Sequence, residues 1–98
     1  MDQVIRQAIT NKKLITFSYQ GHQRVVEPHI LGIKDGDVQI LGYQIGGSSK
    51  SGKPLPDWRR FSMNEMLNTA MDTRSFAGAR EYRGWLDTWD QKYLIVTR

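Results

Sequence analysis

Apolar positions at the front of the chain fall three and four apart. Val4, Ile5, Ala8 and Ile9 recur in this way among Asp2, Gln3, Arg6 and Gln7, which predicts one buried stripe of a short helix. Asn11, Lys12 and Lys13 suit its end, where cations meet the negative pole of the helix dipole. The period then shortens to two. Over residues 14–20, Ile15, Phe17 and Tyr19 alternate with Thr16, Ser18 and Gln20, and β-branched and aromatic types favour a strand. Gly21 and His22 predict a tight turn, residues 23–27 a second β-rich run, and Pro28 a stop or bend in it. Asp35-Gly36 separates the apolar runs 29–33 and 38–45, and Asp-Gly so placed is the strongest hairpin signal in the chain.

Residues 46–57, GGSSKSGKPLPD, are too rich in Gly, Ser and Pro for a regular element and predict an exposed loop. Alternation resumes over 58–63. Residues 66–73 fit two templates, because Met66, Leu67, Ala70 and Met71 also make a helical stripe. Beyond Phe76, Trp85 and Trp89 stand four apart with Leu86 beside the first, while Gly78 and Gly84 argue against one long helix. A short helix and a last strand over 93–97 are expected there. Short strands joined by turns, with no crossover helices between them, predict a mainly β fold: a small antiparallel β-barrel or a strongly bent sheet. Closure of a barrel would remove its exposed edges.

The 98 residues make room for one domain. Hydrophobic residues at 39% and charged residues at 24% suit a folded chain rather than a disordered one. So short a chain has a small core, which dimerisation would reinforce. The absence of cysteine excludes disulfides, thiolate zinc sites and cysteine nucleophiles. No run approaches the ~20 apolar residues of a membrane span, and Asp2 in the opening segment is unlike a signal peptide. A cytoplasmic protein without a membrane partner is the expectation. Fourteen Lys and Arg against ten Asp and Glu leave a charge of +4, which serves anionic partners and plain solubility equally well.

Residues suited to catalysis are few. His22 and His29 lack zinc spacing, Asp35 and Asp37 flank a turn glycine, and Gly46, Gly47 and Gly52 lack the strand-to-helix setting of a phosphate loop. No enzyme activity, metal or cofactor is expected. The positive signal is arginine inside β-rich runs, at Arg24, Arg59 and Arg60, where a guanidinium needs an anion or solvent. A side-chain period of two groups Arg59 with Phe61 and Met63, and Arg60 with Trp58 and Ser62, so one of the two points to the core side. An inward arginine near a barrel mouth is a ready anion fork. Tyr19 and Tyr43 each close a predicted strand, either as stacking rings with a hydroxyl to donate or as covers of the core.

The order helix, ITFSYQGHQRVVEP, LGIKDGDVQILGY, loop, RRFSMNEMLNTAMDTRSF resembles the WYL domain, a small β-barrel of the Sm-like type. The likeness runs over residues 5–76, leaving 77–98 as a C-terminal extension packed on the same domain. Tyr19, Gly21, Arg24 and Pro28 match the first block, Gly36, Gly42 and Tyr43 the second, and Arg59 and Phe61 the third. The Trp-Tyr-Leu of the name falls on Val38, Gln39 and Ile40, and Ser62, Asn64 and Glu65 replace a second arginine and an aspartate-arginine pair. The resemblance implies a regulatory module that recognises a nucleotide or single-stranded nucleic acid. Arg24 and Arg59 would be its phosphate forks, Tyr19 and Tyr43 its stacking rings, Gln39 a polar contact, and Arg60, Lys50 and Lys53 its rim. No helix reads as a DNA-recognition helix, so output would pass through a homodimer or a separate regulatory protein. The alternative is an interaction or dimerisation module built on the barrel edge and the tail with Trp85, Trp89 and Tyr93.

Overall fold

A computed structural model describes residues 2–82 and 84–98. The chain runs α1 (Asp2–Asn11), β1 (Lys13–Tyr19), β2 (His22–Lys34), β3 (Asp37–Gly47), β4 (Asp57–Ser62), a 3₁₀ turn (Met63–Glu65), β5 (Leu67–Ser75), a second 3₁₀ turn (Gly84–Asp87) and β6 (Gln91–Ile95). The strands form one antiparallel sheet in the order β4-β3-β2-β1-β5, with β6 also on β2.

The long strand β2 organises the sheet. Its first part pairs with β1 through residues 22–26, its last part pairs with β6 through residues 30–33, and β3 lies along it throughout. Partners change around Pro28, which has no N–H to give a ladder, and the β2–β3 register shifts between Pro28 and Ile30. The two runs predicted on either side of Pro28 are thus one bent strand. Both adjoining hairpins have two-residue turns with positive φ at each position: 51° and 78° at Asp35 and Gly36, 54° and 77° at Gln20 and Gly21. That is the twist right-handed strands favour. The first turn lies one residue earlier than expected, and His22 opens β2 instead.

The helical stripe at Ile5, Ala8 and Ile9 is buried against the sheet. Phe17, Phe61, Ile15, Ile40 and Met66 complete this core, and full burial of such a side chain is worth ~1.5–3 kcal/mol. Lys12 and Lys13 serve the tail and β5 directly, their amines donating to the Arg98 carbonyl and to Thr73 and Ser75.

The ambiguous segment is strand β5, whose pairing with β1 contains two register shifts. Met66 is buried, while Leu67 and Met71 face outward. The loop is shorter than expected, because β3 continues through Gly47. The final strand begins two residues early, at Gln91. Of the two tail tryptophans, the Trp85 side chain lies outside the described residues.

β4 and β5 end the hydrogen-bonded path, and among the described residues no ladder joins them. Strand pairing leaves the sheet open, without the closure a barrel would have. Among the described residues no helix is long and apolar enough to cross a membrane.

Candidate anion-binding site

Strand register brings two arginines to the core side of the sheet. Arg24 lies opposite the buried Phe17 in the β1–β2 ladder, and Arg59 stands two residues before the buried Phe61 on β4, so each shares its face with core aromatics. Gly42, opposite Arg59, permits close packing of β2, because a Cβ there would collide with the Val26 side chain.

Arg24 is only 2% exposed. Its Nη1 donates to Gln44 Oε1 at 3.2 Å and its Nη2 to the Tyr19 carbonyl at 3.1 Å. The rings of Tyr19 and Phe61 lie 5.4 and 5.7 Å from the guanidinium carbon. Gln44 is itself buried, and its amide nitrogen donates to the carbonyls of Gly46 and Ser48, which turns its oxygen toward Arg24. The side chain of Arg59 is 14% exposed; its Nη1 donates to Ser51 Oγ at 3.3 Å, and its Nη2 lies 3.8 Å from Asp57 Oδ2, beyond hydrogen-bond reach. Arg24 Nε, Arg59 Nε and Arg59 Nη2 are buried without a hydrogen-bond partner. Burial lowers the Arg24 pKa, and the Arg59 charge lowers it further.

Both arginines line one cavity of about 580 Å³, together with Tyr19, Ser51, Lys53 and Asp57. Two guanidiniums held together, with donors unsatisfied, are costly unless an anion joins them. Forked N–H groups and a cationic excess suit the oxygens of a phosphate or carboxylate.

The remaining candidates divide. Tyr19 borders the cavity but is 8% exposed, edge-on against Phe61, so it builds the wall and offers little open stacking surface. Its hydroxyl accepts from the Ser62 N–H at 3.0 Å and donates to Glu65 Oε2 at 3.2 Å, while burial raises its pKa. Ser62 Oγ in turn donates to Asp37. The Ser62 backbone and the Glu65 side chain therefore fasten Tyr19.

Arg60 points to the opposite face of β4 and reaches the cavity border from there. Its Nη2 donates to the carbonyls of Leu86 and Thr88 at 3.0 and 2.7 Å, and its guanidinium lies 4.2 Å from the Trp89 ring centroid. Gln39 accepts from Arg60 Nη1 at 3.3 Å and donates to Asp37, so it braces Arg60 and does not line the cavity. Tyr43 stands inside β3 rather than at its end, away from the cavity, between Trp58 and the Arg80 guanidinium. Lys53 borders the cavity; Lys50 is exposed on the loop and does not.

Sequence reasoning missed Gln44, Ser51 and Asp57. Gln44 carried a signal, as a polar residue in phase with Ile40 and Gly42 on the core face. Ser51 carried none, because the path of a loop is not periodic, while Asp57 was read as loop although it opens β4 in phase with Arg59 and Phe61. Among the described residues no three His, Asp or Glu side chains gather as a metal centre needs. Comparison with protein-family profiles, curated proteins and solved structures finds no match to this chain.

Proposed function

We propose that this chain is a non-enzymatic, WYL-like binding module for a phosphorylated ligand, a nucleotide or a short single strand of nucleic acid. The observation that carries the reading is the shared cavity of Arg24 and Arg59, with partnerless guanidinium N–H groups on both residues. Arg24 and Arg59 are also positions at which the sequence resembles the WYL pattern. The open sheet then corresponds to an Sm-like barrel parted between β4 and β5. Guanidinium forks bind and orient an anion but provide no nucleophile paired with a base. A regulatory, cytoplasmic role fits such a module, with output through the tail that Arg60 clamps or through a partner protein.

Fluorescence anisotropy with a labelled single-stranded oligonucleotide and a fluorescent nucleoside monophosphate, at low and moderate salt, tests this. Binding should fall steeply with salt and vanish in folded Arg59→Met. Absence of binding at low salt, or full binding by that variant, rejects the assignment.

A second reading, an interaction module, draws on apolar side chains left open at the sheet edge. Leu67 is 60% and Met71 43% exposed on β5, and Tyr93 and Ile95 are exposed on β6. Light scattering of the wild type and of Leu67→Lys/Met71→Lys separates the two. A dimer that the double substitution dissolves, with no response to either probe, favours the second reading.

A further inference from the structure

We infer that the cavity selects a terminal phosphomonoester over a phosphodiester inside a chain. This rests on the anion-binding reading above and adds the class of phosphate. Three features of the arginine pair support it.

The first is depth. The arginines sit deep in the cavity wall, Arg24 at 2% exposed and the Arg59 side chain at 14%, while the more exposed Ser51, Lys53 and Asp57 line the same cavity. A phosphodiester within a strand continues in two directions, and both must pass the cavity walls to bring the phosphate to these arginines. A chain end or a mononucleotide enters with one connection only.

The second is charge. Among the described lining residues, Arg24, Arg59, Arg60 and Lys53 stand against one carboxylate, Asp57, whose oxygen pairs with Arg59 Nη2 only at 3.8 Å, without a hydrogen bond. A phosphomonoester carries about −1.5 to −2 at neutral pH, against about −1 for a diester, and so balances the two buried guanidiniums more completely.

The third is the number of acceptors. Arg24 Nε, Arg59 Nε and Arg59 Nη2 are the donors lacking partners, with the Ser51 hydroxyl beside them on Arg59 Nη1. A monoester presents three non-ester oxygens and a diester two, so the monoester offers this donor-rich arginine pair one acceptor more.

The experiment compares one single-stranded oligonucleotide, labelled internally, in four forms: 5′-phosphorylated, 3′-phosphorylated, hydroxyl at both ends, and circular. A nucleoside monophosphate and the unphosphorylated nucleoside serve as competitors. At least one phosphorylated form, or the nucleoside monophosphate by itself, should bind tenfold or more tighter than its counterpart without a terminal phosphate. The preferred form distinguishes a strand end from a free nucleotide. The preference should narrow as pH falls through about 6, where the monoester takes up its second proton, and disappear in Arg59→Met. Circular or hydroxyl-ended strands that bind as tightly as phosphorylated ones overturn this inference and leave the anion-binding reading standing. Failure of every form at low salt overturns both.

Discussion

The backbone N–H of Arg80 donates to Nε2 of His29 over 3.2 Å, which leaves the imidazole proton on Nδ1, where it donates to the Glu27 carbonyl at 2.9 Å. The neutral ring is fully buried, stacked on Phe76 and met edge-on by Trp58. The Arg80 guanidinium grips the buried Glu27 carboxylate through Nε and Nη2, at 2.7 and 3.1 Å. Together these contacts fasten the segment after β5 to strand β2.

Stability should therefore fall with acidity before carboxylates titrate. Burial lowers the His29 pKa, so the unfolded chain takes up this proton at higher pH than the folded one. The contribution is intact above the unfolded value of about 6.5, is lost progressively below it, and levels off beneath the folded pKa. Urea unfolding at pH 7.5 and 5.5 should show this decline, and His29→Gln should flatten it. Equal stability of the wild type at both values would refute the role.

Arg59→Met should abolish anion binding yet raise stability without ligand by about 1 kcal/mol, because it removes a like charge and partnerless donors while keeping an apolar stem. Arg24→Ala should instead cost about 2–3 kcal/mol, since it strands Gln44 Oε1 and the Tyr19 carbonyl. Urea midpoints of the two variants check the contrast. A destabilised Arg59→Met would mark that arginine as structural.

Asp57→Asn should strengthen phosphate binding about two- to tenfold, by removing the carboxylate that an incoming anion must displace or face. Titration with the same labelled oligonucleotide at low salt measures this, and the gain should shrink as salt screens the charge. Weaker binding would mean that Asp57 contacts the ligand as an acceptor.

Arg60→Ala should loosen the tail. The substitution removes two donated bonds to the carbonyls of Leu86 and Thr88 and the stacking on Trp89, a loss of about 1–3 kcal/mol. Hydrogen exchange should quicken in β6 and at Asp90, whose N–H donates to the Ile33 carbonyl, before it changes in β1. Arg60→Lys should restore only part of the protection, because an ammonium cannot form the same fork. Unchanged exchange in Arg60→Ala would show that β6 holds the tail by itself.

Local periodicity made much of this legible. The stripe at Ile5, Ala8 and Ile9 determined α1, and Asp35-Gly36 determined a hairpin, because backbone geometry repeats along a single element and few residues accept positive φ. The period of two likewise separated Arg59 from Arg60, one on the core face and one on the other. Tertiary structure decided what those faces meet. Whether Leu67 and Met71 belong to a helix or a strand depended on pairing with β1, and Pro28 bent β2 instead of ending it because β3 continues across the bulge. Arg24 and Arg59 share a cavity only because β3 lies between β2 and β4, and Arg60 became a clamp because the tail returns over it. The direction of a side chain follows from its own few residues, whereas its neighbours follow from strand pairings spread across the whole chain.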